Sequence, residues 1–194
     1  MARLVHLNGP PGIGKSTLSA LYADRNPGVL HLDVDTVQRL VGGWQDDAID
    51  TWPMGWALVR AMAETHLAGG HDVLLPQYLA TVDEITGVEA LARRHGATFR
   101  EVVLLDDREA AIERFGRRVR GSADPWILHH QRLIERGGGP VMLGSMYDRL
   151  MDVVRLRPGT LVVPSAAEAI QETYDLLAEA LRDAPRAGST RPRP

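Results

Sequence analysis

From Gly9 to Thr17 the chain reads Gly-Pro-Pro-Gly-Ile-Gly-Lys-Ser-Thr, which satisfies the pattern G-x-x-x-x-G-K-[ST]. These residue types at this spacing form a phosphate-cradling loop. Gly9, Gly12 and Gly14 let the backbone curl so that successive N–H groups, that of Ile13 among them, point inward at an anion. The helix that follows adds its positive end. Lys15 is placed to reach the β- and γ-phosphates of ATP, the Ser16 hydroxyl to ligate Mg²⁺, and Thr17 belongs to the same nucleotide-binding turn. Lys15 is also the only lysine among 22 basic side chains. A compact ammonium fits among phosphates where a wide guanidinium does not.

Two carboxylates stand at the end of the next apolar run, in Leu32-Asp33-Val34-Asp35. Mg²⁺ takes carboxylate, hydroxyl, phosphate and water oxygens, which suits Asp33 as the metal-side acid opposite Ser16. Asp35, displayed from the turn, is the candidate base for an acceptor hydroxyl. The plainer alternative is that both cap a helix beginning near Thr36.

Arg114, Arg117 and Arg118 fall at i, i+3 and i+4 and so share one helix face, with Arg120 at that helix's end. Such a group can neutralise a migrating phosphoryl group from a closing flap, or can be a solvated face paired with Asp107, Glu109 and Glu113. Asp106, at the end of Val102–Leu105, either holds Mg²⁺ or caps the next helix. Gln77, after Pro76, can bind a substrate hydroxyl or simply open a loop. Trp44, Trp52 and Trp56 are interleaved with Asp46, Asp47 and Asp50. The three indoles, Trp44 and Trp56 foremost, are candidate walls of an acceptor pocket, against the commoner fate of packing in the core. His129 and His130 adjoin on a helix and point different ways, and with no third ligand evident they do not make a zinc site.

The elements that must position these residues follow from pattern and punctuation. Apolar runs predict strands at 4–7, 29–32, 73–75, 99–105 and 160–163. Between them, helices are expected over 16–23, 36–41, 54–68, from Thr81 to about His95, and from Asp106 to about Arg120. Further helices are expected from Asp124 to about Arg136, 141–155, and from Ser165 to about Asp183. Thr81 with Glu84, Asp106 with Glu109, and Ser165 with Glu168 have the spacing of capping boxes. Asp124-Pro125 is a cap followed by proline at the first helical position. Residues 46–50 are expected to be mobile or briefly helical, Gly121 a break, and 184–194, rich in proline and arginine, disordered. Strand and helix alternate five times, which predicts a parallel sheet wrapped by helices, with ligands at the carboxyl ends of the strands.

Composition narrows the partners. At 194 residues one domain is expected, with 1–183 folded. The net charge of −3 supplies no basic field for nucleic acid or an acidic membrane, and the chain has no cysteine for a disulfide or a thiolate metal site. Neither a signal peptide nor an apolar span of membrane length is evident. These features fit a cytoplasmic protein, and they leave the oligomeric state open.

The order of parts resembles the P-loop small-molecule and nucleotide kinases, a group that includes shikimate kinase, gluconate kinase and chloramphenicol phosphotransferase. The resemblance runs from about Arg3 to Leu181 and is carried by Gly9–Thr17, by Leu32–Asp35 and by Ile112-Glu-Arg114-Phe-Gly-Arg-Arg118. The stretch Arg120–Pro125 into Leu128–Gln131 is similar to the flap of gluconate-kinase relatives. The resemblance implies a three-layer α/β/α fold, a five-stranded parallel sheet in the order 2-3-1-4-5 and a helical lid at about 117–140. It implies that Arg114 serves adenine or the phosphates, that Arg118 or Arg120 comes from the flap as a catalytic arginine, that the loop around Ser165 edges the adenine, and that 36–70 binds the acceptor. The 36–70 region matches no acceptor signature. The activity expected is therefore transfer of the ATP γ-phosphate to a hydroxyl of a small molecule such as a sugar acid, antibiotic or other metabolite. A nucleoside, nucleotide or polynucleotide 5′-kinase and a nucleotide-driven switch acting on a partner protein are the alternatives.

Overall fold

Apolar runs without polar alternation become strands buried on both faces, and the computed structural model arranges them as one parallel sheet. It describes residues 1–46, 48–120 and 122–182, so Asp47, the expected break at Gly121 and the expected disordered tail lie outside the described residues. The strands are β1 (Arg3–Asn8), β2 (Leu30–His31), β3 (Val73–Pro76), β4 (Thr98–Leu105) and β5 (Leu161–Pro164). Their order in the sheet is β2-β3-β1-β4-β5, as the resemblance implies. The helices are α1 (Lys15–Arg25), α2 (Val34–Gln38), α3 (Trp52–Ala68), α4 (Val82–Arg94), α5 (Arg108–Val119), α6 (Pro125–Arg136), α7 (Pro140–Leu156) and α8 (Ile170–Ala180).

Two cores sandwich the sheet. On one face Leu4, Val73 and Leu75 pack against Val59 and Ala63 of α3 and Ile85, Val88 and Leu91 of α4. On the other, Val5, Leu7, Leu74, Val102 and Leu104 meet Leu18 and Tyr22 of α1 and Tyr174 and Leu177 of α8. A smaller cluster of Phe115, Ile134 and Leu143 ties α5, α6 and α7 together. None of the described helices is long and apolar enough to cross a membrane.

Local chemistry sets most of the boundaries. Thr81 and Glu84 form the expected capping box, and the Asp124 carboxylate accepts from the Trp126 N–H at 2.9 Å. Other expectations give way to stronger partners. Helix α2 starts at Val34, two residues before the expected Thr36, because the buried Asp33 accepts from the Asp35 N–H at 2.9 Å and caps it. Asp106 does not cap α5, since Asp107 takes the N-cap position and the Asp106 carboxylate binds Arg114 at 3.2 Å. Ser165 does not cap α8 either: it is buried, its hydroxyl donates to Ile13 O at 3.2 Å, and the helix begins after Ala169. Residues 41–45 and 48–49 are turns and bends, and none of the described residues from 46 to 50 is helical.

At the end of β1 the chain bends sharply into the loop. Gly9 has φ +147°, and a β-carbon there would stand 2.7 Å from the Leu104 carbonyl oxygen. Only glycine passes between β4 and Ile13 in that conformation. Buried Asn8 secures the bend. Its side-chain amide donates to Leu79 O at 2.8 Å, and its Oδ1 accepts from the Gly9 N–H at 2.8 Å and the Leu79 N–H at 3.2 Å.

Candidate active site

The glycine loop leads straight into α1, whose N-cap is Gly14 at φ +107°. Lys15 is the first helical residue, and its ammonium folds back across the loop to donate to Gly9 O at 2.7 Å and Pro10 O at 3.0 Å. The side chain as a whole is half-buried, but the ammonium is enclosed. Burial pushes its pKa down to about 8, against an opposing pull from the Asp35 and Asp33 carboxylates. A bound polyphosphate would restore the charge that burial disfavours.

The two strand-end acids occupy different surroundings. Asp33 is buried beneath α2 as its cap. Asp35, the second residue of the helix, lines the cavity beside the loop, and the Trp126 indole N–H donates to its Oδ2 at 3.2 Å. Burial raises the Asp35 pKa first and the Asp33 charge second, whereas His130, the Trp126 hydrogen bond and Lys15 pull it back down. A carboxylate with a raised pKa is a stronger base, and it loses that role as pH falls through the raised value. Replacing Trp126 with phenylalanine keeps a ring but deletes the donor. The acid limb of the kcat/KM–pH profile is then expected to move further up in pH, with the plateau less affected; an unmoved limb would mean that the indole does not tune Asp35.

Arg114 is a hub beside the glycine loop. Its guanidinium donates to Ile13 O at 2.9 Å, to the Ser165 carbonyl and to Asp106 at 3.2 Å. These bonds join the glycine loop, the end of β4 and the turn after β5. The arginines expected on one face separate here: Arg117 points to solvent beside Glu113 at 3.9 Å, while Arg118 lines the cavity next to the loop. Arg120, the C-cap of α5, is exposed and does not line that cavity.

That cavity, of about 350 Å³, opens above the carboxyl ends of β1 and β3. Gly12, Gly14, Lys15, Ser16 and Thr17 form one wall, and Asp35 and Gln77 another. Gln77 is pinned by its backbone. Its N–H donates to Leu7 O at 3.1 Å, and its carbonyl accepts from His6 Nε2 at 2.9 Å. Burial pushes the His6 pKa down to about 4, so the ring is neutral and carries its proton on the nitrogen that faces the carbonyl.

Trp52, from the expected tryptophan cluster, lines the cavity, but most of the roof comes from residues that motif and spacing did not single out for the pocket: Trp126, Ile127 and His130 of α6, and Tyr78. Tyr78 donates to Met146 O at 2.9 Å and thereby clamps α7 over the opening. Trp44 and Trp56, the other tryptophans expected at the acceptor, are not on this wall. Trp44 lies tilted against Trp126 with ring centroids 5.0 Å apart, and Trp56 is half-buried against the core, edge-on to Trp52 at 5.9 Å. The sequence signal for the actual roof is Asp124-Pro125-Trp126, which starts a helix with an indole in its first turn. His129 and His130 join the same aromatic cluster, at 6.1 and 4.4 Å from Trp126.

Oxygen donors beside the loop are of the kind that holds Mg²⁺ next to phosphate. Among the described residues no group of three acidic or histidine side chains converges. The Ser16 hydroxyl at the cavity wall, the nearby Asp33 carboxylate and phosphate oxygens are the hard ligands this ion takes.

A family model described as an AAA domain matches residues 4–134, well over half of the chain. The chain belongs to the AAA domain family. Several solved structures share its fold. The tunicamycin resistance protein of Deinococcus radiodurans aligns at TM-score 0.58 and 16% identity, over 94% of this chain and 98% of its own. A candidate kinase from Chloroflexus aurantiacus aligns at TM-score 0.64 and 16% identity, over 93% and 96%. A gluconokinase from Sinorhizobium meliloti aligns at TM-score 0.55 and 18% identity, over 90% and 91%. At these identities the likeness is one of fold: a three-layer α/β/α sandwich with the glycine loop after the central strand. No curated protein matches the sequence.

Proposed function

We propose that this chain is an ATP- and Mg²⁺-dependent phosphotransferase that moves the γ-phosphate to a hydroxyl of a small molecule. One observation carries the proposal: Lys15 of the phosphate loop and the half-buried Asp35 line the same cavity, and Trp126 holds the acid in place. A nucleotide-driven switch has no use for a base at that point. An alcohol kinase needs one.

In this scheme the loop N–H groups of residues 12–17 and the Lys15 ammonium grip the β- and γ-phosphates. Arg114 and the Ser165 turn border the nucleotide base. Ser16 and Asp33 would hold Mg²⁺, which would neutralise phosphate charge when bound. The acceptor lies between Asp35 and Gln77. Its hydroxyl oxygen attacks the γ-phosphorus as the bond to the β-bridging oxygen breaks, and its proton passes to an Asp35 oxygen. The products are a phosphate monoester and ADP, and Asp35 then returns the proton to solvent. Arg118 stabilises the charge on the migrating group. The segment 117–140 serves as the lid that excludes water, and 36–70 supplies the acceptor side of a single kinase domain spanning 1–183.

The test is a screen of hydroxylated metabolites, nucleosides and antibiotics with ATP and Mg²⁺, read as ADP release. At least one class is expected to raise release well above the acceptor-free rate. Uniform release across all classes that disappears in Asp106→Ala would favour the switch instead.

A further inference from the structure

Helices α3 and α4 lie side by side on the same face of the sheet, yet they leave a groove of about 420 Å³ between them. Packed helices normally interdigitate and leave few voids larger than a water molecule. The floor of this groove is apolar, with Leu4, Val73, Leu75 and Leu79, and charges such as Arg60 and Asp83 are confined to its rim. Gly87, in the middle of α4, also lines it. Nothing in the backbone asks for glycine there: the position is helical, and a β-carbon would meet no atom within 4 Å. Glycine weakens a helix interior relative to alanine, so what it contributes at this position is open space.

A second observation ties the groove to the catalytic cavity. Trp52 lines both. Its ring, 38% exposed and edge-on to Trp56, is the side chain common to the wall beside Lys15 and Asp35 and to the apolar groove. We propose that the groove is a specificity subsite of the phosphotransferase proposed above, and that it receives an apolar arm of the acceptor while the hydroxyl-bearing head sits at Asp35. The acceptor is then an amphiphilic alcohol, with a polar head joined to an alkyl or ring-containing arm that passes Trp52. This inference rests on the kinase proposal for the head and on the groove's own chemistry for the arm.

The probe is a series of n-alkyl β-D-glucosides with one, four and eight carbons, kept below their micelle concentrations and titrated calorimetrically into the full chain. Affinity is expected to rise with chain length, by up to about fourfold per methylene seated in the groove. Gly87→Leu fills the groove and is expected to erase the rise, so that the octyl and methyl glucosides bind alike, while Gly87→Ala retains most of it. Ala90→Leu, which narrows the same groove from the next turn of α4, is expected to reduce the rise as well; melting curves report whether each variant is folded. A flat response in the wild type would overturn the proposal. So would a rise that survives Gly87→Leu, because the exposed Met54, Leu58 and Met62 on α3 would then be the binding surface. ATP titrated into the same samples separates the two ideas: loss of ATP binding defeats the kinase proposal, whereas a flat chain-length response with intact ATP binding defeats only the subsite.

Discussion

Asp35→Asn is expected to lower phosphoryl transfer by about 10²–10⁴-fold while ATP affinity stays within a few fold of the wild type. The amide keeps the size of the side chain and can still face the Trp126 indole, but it cannot accept the hydroxyl proton. Two features make the expected loss large. Burial and the neighbouring Asp33 charge raise the Asp35 pKa, so the carboxylate is a better base than an exposed one. It also faces the cavity that the phosphate loop lines, where a mispositioned water is a poor substitute. Single-turnover transfer measured beside nucleotide binding separates the two effects. A variant that transferred at the normal rate would remove Asp35 from the chemistry. The same pKa direction sets the pH dependence. Asp35 must be unprotonated to act, so activity is expected to fall on the acid side at a pH above the ordinary carboxylate range.

Lys15→Arg is expected to cost about 10²–10³-fold in kcat, although it preserves the charge. The ammonium lies 2.7 Å and 3.0 Å from two carbonyls of its own loop, a spacing that seats one nitrogen. A planar guanidinium cannot fit there without pushing the loop off the phosphates. Burial also gives this lysine a pKa of about 8. Above that pH the nucleotide-free protein carries a neutral amine, and ATP binding must then take up a proton. Apparent ATP affinity is accordingly expected to weaken as pH rises through about 8, and calorimetry in buffers of different ionisation enthalpy should register the uptake. An arginine variant with wild-type kcat would show that Lys15 contributes charge alone.

How far these features could be read before any coordinates depends on the range of the interaction that fixes them. The glycine loop, the alternation of strands with helices and the Thr81–Glu84 box are local, and the chain writes them in consecutive residues. The strand order came from resemblance and not from pattern, because apolar runs carry no record of their neighbours. Where local and distant partners compete, the distant one prevailed. Asp106 and Ser165 both have cap spacing, yet each is drawn into the Arg114 hub, and Ser165 meets Ile13 across 152 positions of sequence. The tryptophans show the same limit. Trp52 and Trp56 are one turn apart, and only the fold determines that Trp52 lines the cavity while Trp56 packs against the core. Trp126 and Trp44 lie far apart in the chain and meet in space, with the α6 residue innermost.

The most direct test of the central claim follows the phosphorus itself. ATP labelled at the γ-position is incubated with Mg²⁺, the full chain and a mixture of amphiphilic and polar alcohols, and the products are separated. Label is predicted in an organic phosphate monoester, formed by the wild type and absent with Asp35→Asn. Label recovered only as inorganic phosphate, in equal amounts from both proteins, would contradict the account.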